Sequence, residues 1–283
     1  MQAKNAFFFL SLVAALWGLT FPLIENSMQL HDPFLFVALR FSIAALILIP
    51  IFKFFQNATK ELLIAGLILG VLNCGAYLSQ TIGLQTTNAS RAAFLTGTNI
   101  VFIPFIAPAF KLQVINKYDV ISGVLCAFGI YVLTGAGLEN LSVGDFWILL
   151  CAFCVALSII YISYLSKNNF DPYLLTTSQI GATALISWGL CFLFSDFNFN
   201  SLINYNFIGT IIYCSLFATI VSLSLQAKYQ KYVSAQKAGL IFCLEPVFAT
   251  FFDMLINHAE LLPNIFFGGI IILLSIVFLE LKG

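Results

Sequence analysis

Two charged side chains stand inside long apolar runs. Glu245, followed by Pro246, lies within 238–252, and Arg40 lies within 33–52. A charge at mid-bilayer depth costs about 3 kcal/mol or more, so such a residue faces protein or water and marks a pathway. Glu245 has two readings. As a structural group it would be hydrogen-bonded or paired with a cation such as Arg40; as a functional group it would bind a proton or a substrate amine. Pro246 leaves a carbonyl one turn earlier without its donor, which suits a hinge or a site. Arg40 sits about 10 Å into its helix by the rise per residue. It could pair with Glu25 or Glu245, or hold a substrate carboxylate.

Uncharged polar residues add stripes at helical spacing. Asn73, Tyr77 and Gln80 recur at i, i+4 and i+7; Ser215, Thr219, Ser222 and Gln226 recur at i, i+4, i+7 and i+11. Each set lies on one helix face, which in lipid should point inward. They read either as the lining of a cavity or as interhelical hydrogen bonds. Trp17, Phe242 and Phe102 fall near these polar positions and offer an apolar wall, although a packed aromatic is the simpler reading for Trp17.

The elements that must position these groups are membrane helices. The chain has 283 residues, 61% hydrophobic and 8% charged, against about a quarter charged in a soluble domain. The net charge of zero argues against nucleic-acid binding. All seven cysteines (Cys74, Cys126, Cys151, Cys154, Cys191, Cys214 and Cys243) lie in apolar stretches and read as small hydrophobes. Cys151-x-x-Cys154 has a redox spacing but no second pair, and neither metal nor cofactor is expected. A bilayer span needs about 20 residues. Uncharged segments run 5–24, 62–90, 92–110, 120–138, 146–166, 172–195, 197–227 and 261–279. With 33–52 and 238–252, this predicts an all-α membrane protein of ten transmembrane helices. The first is read as retained, since no small-x-small cleavage pattern follows it.

With both termini in the cytoplasm, the inner ends and loops hold Lys4, Lys53, Lys60, Lys111, Lys117, Lys167, Lys228, Lys231, Lys237 and Lys282. The outer side holds Arg91 alone, a bias that fixes orientation by the positive-inside rule.

The sequence also repeats. Asp32-Pro33 opens DPFLFVALRFSIAALIL and Asp171-Pro172 opens DPYLLTTSQIGATALIS, at an offset of 139 with six of 17 positions identical. At an offset of 146, Arg91 falls on Lys237, Gln80 on Gln226, Asn73 on Thr219 and Asn99 on Glu245. The expected units are 5–136 and 145–281, five helices each. An odd number of spans per unit inverts one copy relative to the other, the architecture of secondary transporters with a midplane site.

Leu16-Trp17-Gly18, Arg40-Phe41, the run from Ser90 to Gly97, Leu244-Glu245-Pro246-Val247-Phe248-Ala249 and Glu260 follow one another in an order that resembles an EamA-type member of the drug/metabolite transporter superfamily. The resemblance covers essentially the whole chain. It implies a multi-pass protein of the bacterial inner membrane that exports a small solute. Members often carry a Glu-Pro in the fourth span and an acidic residue after it. This chain has Asn99-Ile100 and Lys111-Leu112-Gln113 there, which removes one of two paired carboxylates.

The expected function is a secondary transporter, an exporter of a small organic metabolite such as an amino acid, working by alternating access. Its partners are that solute, a coupling proton and the bilayer; oligomeric state stays open. The alternatives are an intramembrane enzyme or a lipid scramblase. An enzyme is disfavoured because His31 and His258 lie in outer loops and only Asp253 among the aspartates falls inside a span. A P-loop for ATP is absent from the sequence.

Overall fold

The computed structural model describes residues 2–28, 31–52, 58–112, 116–134, 142–195, 205–258 and 263–282. Lys53, Gln113, Glu139, Glu260 and the first unit's end at 136 lie outside them. The described residues form helices and no strand. Seven helices are long and apolar enough to cross a membrane: α1 (Gln2–Met28), α3 (Lys60–Gly83), α4 (Ala89–Phe110), α6 (Val143–Asn168), α7 (Pro172–Phe194), α8 (Tyr205–Tyr232) and α9 (Ala235–Asn257). Between and after them come α2 (Pro33–Ile47), α5 (Lys117–Thr134) and α10 (Pro263–Lys282). The second and tenth carry shorter apolar stretches.

Polarity is turned inside out relative to a soluble domain. Arg40, Asn73, Gln80, Asn99, Gln226 and Glu245 are buried, while Phe105, Leu185, Phe192 and Leu274 lie on the surface. That arrangement is stable only where the surrounding solvent is itself apolar.

Helix starts follow local chemistry. The Asp32 carboxylate accepts from the Leu35 amide, and Asp171 accepts from Leu174 and Tyr173, each followed by Pro at the first helical position. Asn88 caps α4 by accepting from Arg91 N–H, and Ser234 caps α9 by accepting from Lys237 N–H. Ser142 and Asp145 form a capping box at the start of α6.

Packing places α3 against α6 and α7, α2 against α7, and α5 against α10. Gly66 and Gly70 allow the α3–α7 approach: a Cβ on Gly70 would meet the Cβ of Ala182 at 2.5 Å. Of the remaining helices, α1 touches α4, α8 and α9, and α4 touches α9 as well as α6.

Three irregularities interrupt these helices. Helix α4 breaks after Gly97 and resumes at Asn99; α9 breaks after Phe242 and resumes at Glu245. In α8 the segment Leu216–Val221 is a π-turn. The expected kink at Pro246 is thus a two-residue interruption, Cys243-Leu244, whose backbone stays in the right-handed helical region. Pro246 stands in the first turn of a new helix, where its missing N–H needs no partner.

Candidate central cavity

The break in α9 puts Glu245 at the N-terminus of a helix whose dipole favours a negative charge there. Its side chain opens into a narrow cavity of about 40 Å³, room for a few water molecules. The walls come from both halves of the chain. Trp17 and Thr20 are supplied by α1, Asn73, Ala76, Tyr77 and Gln80 by α3, and Thr96 by α4. Cys151, Val155 and Ser158 come from α6, Leu223 and Gln226 from α8, and Glu245 from α9. Glu245 itself is 6% exposed. The Arg91–Asp145 salt bridge does not involve this carboxylate. The hydroxyls of Thr96 and Ser158 are buried without a partner, so the cavity presents unspent polar atoms beside an unpaired acid.

Six of the residues read from the sequence meet here: Trp17, Asn73, Tyr77, Gln80, Gln226 and Glu245. The others stand one layer back. Phe242 packs against Trp17, ring centroids 5.2 Å apart. Asn99 donates to the Thr96 carbonyl at 2.9 Å and leaves its Oδ1 without a partner. Ser222 donates to the Phe217 carbonyl across the π-turn at 2.8 Å. Thr219 accepts from Arg40 Nε at 2.8 Å.

Arg40 pairs with neither Glu25 nor Glu245. Glu25 accepts from the Ala89 amide at 3.0 Å, at the start of α4. Arg40 turns instead to the π-turn, where the Ala218 carbonyl accepts from Arg40 Nη2 at 3.4 Å and from Trp17 Nε1 at 2.9 Å. The guanidinium carbon lies 4.3 Å from the Tyr77 ring centroid, a cation–π contact. Nη1 is buried without a partner. Tyr77, which lines the cavity, thus lies between the buried cation and the chamber that Glu245 faces.

Sequence reading missed the α6 wall. Cys151, Val155 and Ser158 are spaced i, i+4 and i+7, but one hydroxyl and one thiol in an apolar run give no polar stripe. Cys151 is a buried residue that also lines the cavity. All seven cysteines are free. Gln179, the residue aligned with Arg40, accepts from Asn73 at 3.1 Å and fixes its amide.

Known proteins similar to this chain point the same way. The EamA-like transporter family matches residues 4–135 and again 142–281. An uncharacterized transporter of Archaeoglobus fulgidus is 34% identical over 274 residues, covering 96% of this chain and 85% of its own. The uncharacterized transporter YoaV of Bacillus subtilis is 25% identical over 273 residues, covering 92% and 91%. A solved crystal structure, 15% identical, covers 99% of this chain and 97% of its own with a TM-score of 0.76, a likeness of fold. On these matches the chain belongs to the EamA-like transporter family, and it is a multi-pass membrane transporter.

Proposed function

We propose that the chain is a secondary transporter exporting a small organic metabolite such as an amino acid across the cell inner membrane, by alternating access of two inverted five-helix units, 5–136 and 145–281. The observation that carries this reading is the central cavity, walled by helices of both halves and holding an unpaired carboxylate at a helix break. The substrate would sit against Trp17 and Tyr77 with its polar end on Glu245, Thr96, Ser158 and Gln80, and Glu245 would take either a proton or the substrate amine. Arg40, through Thr219 and Tyr77, would hold the wall in place.

Several features support the inverted units. Asp32 and Asp171 cap helices at an offset of 139; Asn88 and Ser234 do so at 146. The breaks of α4 and α9 resume at Asn99 and Glu245, again 146 apart. The family match also falls in two stretches.

The test is counterflow in proteoliposomes with labelled amino acids, nucleosides and sugars. Exchange of at least one, lost in Glu245→Gln, is expected. Absence of any exchange, with flipping of labelled lipid, would favour a scramblase instead. A reporter fused after Glu139 should be external and one after Lys167 cytoplasmic.

A further inference from the structure

At the lysine-bearing end of the helices a separate opening of about 150 Å³ lies beside the start of α9, lined among others by Ser163, Ser166, Asp119 and Gln236. It is larger than the central cavity, and the two are linked by one chain of side-chain hydrogen bonds. Gln226, in the cavity wall, donates through Nε2 to Gln230 Oε1 at 2.9 Å. Gln230 donates through Nε2 to Ser163 Oγ at 2.9 Å and to the Ile159 carbonyl at 2.7 Å. Ser163 faces the opening. Gln230 is wholly buried and borders neither space. It ties the C-terminal end of α8 to α6 across the line joining them.

We infer that Gln230 is a gate residue: its amide clasp between α8 and α6 closes the passage from the central cavity to the lysine-bearing face, and substrate passes along the α6–α8 seam when the clasp opens. This rests on the transporter reading for its purpose but not for its test. The bonds are neutral and of modest net strength, so they can be exchanged for water as the helices part. The opening beyond already presents polar groups to receive a solute, among them the buried Gln236 Oε1, which has no partner. A glutamine suits the task because one side chain donates twice and accepts once in a fixed plane, and because it adds no charge to a path that must also be sealed against ions.

The native thiol of Cys151, which lines the central cavity and is 2% exposed, is a built-in reporter. In a full-length chain with the other six cysteines replaced by alanine, the modification rate of Cys151 is measured with the trimethylammonium-ethyl methanethiosulfonate reagent. The protein sits in sealed vesicles, with reagent applied from one face at a time. Gln230→Ala is expected to raise the rate about tenfold from the lysine-bearing face, as the open population grows, and to leave the rate from the opposite face unchanged. Gln230→Leu, which keeps bulk and deletes the bonds, should label as fast as Gln230→Ala. Ser163→Ala, which spares the Ile159 bond, should label at an intermediate rate and serves if the Gln230 variants fold poorly. An unchanged rate from the lysine-bearing face, an equal rise from both faces, or a Gln230→Leu variant as slow as the parent would overturn the gate. No substrate enters this assay. A protein that transports nothing yet shows the one-sided change therefore loses the transporter reading and keeps the gate, and the reverse result separates them equally.

Discussion

Gly97 and Cys243 meet where α4 and α9 cross. The Cys243 thiol lies 3.8 Å from the Gly97 carbonyl oxygen, and the two positions are 146 apart in sequence. Under the proposed repeat each is the other's counterpart, and counterparts can touch only on the axis that relates the two units. The crossing is tight on both sides. A Cβ on Gly97 would lie 3.0 Å from Ile130 Cδ1 and 3.2 Å from Pro246 Cγ, and one on Gly239 would lie 2.4 Å from Ile103 Cδ1.

Gly97→Ala should therefore push the two broken helices apart, at a cost of about 1–3 kcal/mol of overpacking. Gly181→Ala is the control: a Cβ there meets nothing within 4 Å, and alanine is the better helix former by about 1 kcal/mol. Thermal melting in detergent should show a lower midpoint for the first and an equal or higher one for the second. A Gly97→Ala protein as stable as the parent would mean that the crossing is looser than these distances imply.

Glu245 is buried and forms no ion pair. A carboxylate in that position is retained against the cost of desolvation. Glu245→Gln should thus raise the melting midpoint, by about 2–4 °C per kcal/mol for a chain of this size, while abolishing exchange in proteoliposomes. Higher stability with lost activity is the signature of a functional group held at a structural cost. Full exchange by Glu245→Gln at every pH would remove Glu245 from the coupling step.

Arg40 and Tyr77 should be energetically coupled. The guanidinium lies over the ring at 4.3 Å and is buried, a geometry worth about 2 kcal/mol when desolvated. In a double-mutant cycle of Arg40→Lys and Tyr77→Leu, the coupling read from melting should be about 1–2 kcal/mol. Arg40→Lys alone should lower stability, because an ammonium cannot bond Thr219 and the Ala218 carbonyl in the fixed fork geometry of the guanidinium. Additive effects would show that Arg40 is held by α8 alone.

The helix starts at Asp32 and Asp171 were legible because capping is local chemistry, and the α3 stripe was legible because α3 is an unbroken helix: Asn73, Tyr77 and Gln80 all line the cavity. The α8 stripe was read with the same period and came apart. The π-turn at Leu216–Val221 inserts about one extra residue into the α-helical period, which rotates the rest of the helix about its axis. Thr219 consequently holds Arg40 while Gln226 reaches the cavity. Arg40 was expected to find a carboxylate because charge complementarity is the only pairing a sequence displays. A carbonyl in a widened turn carries no sequence mark. Glu245 was visible as a lone acid in an apolar run, but its position at a helix start depends on the break before it. Pro246 hinted at that break without fixing its extent.

Arg91 and Asp145 pair at the end of the molecule opposite the glutamine clasp. Their side chains are 2.9 Å apart, with Arg91 partly exposed and Asp145 buried. Asp145 also accepts from Thr87 Oγ1 at 2.9 Å and from the Ser142 amide at 2.7 Å, so it stays hydrogen-bonded when Arg91 is removed. Beside it, Ser90 donates to Asp253 at 3.2 Å and the Ala89 amide to Glu25 at 3.0 Å, tying the start of α4 to α1 and α9. Solvent reaches the Arg91 side of the pair, and Asp145 keeps its other hydrogen bonds without it. Arg91→Ala should accordingly leave the melting midpoint nearly unchanged. Its effect should appear in the balance between conformations, since two states within a few kcal/mol of each other respond to small differential contacts. The measurement is Cys151 modification from the Arg91-bearing face, expected to be several-fold faster in Arg91→Ala than in the parent. Salt screens a partly buried pair only weakly, so raised salt should speed the parent slightly and leave Arg91→Ala unchanged. The decisive comparison is Arg91→Lys, which keeps the charge and should label close to the parent rate; if it labels as fast as Arg91→Ala, the effect depends on guanidinium packing and not on the ion pair.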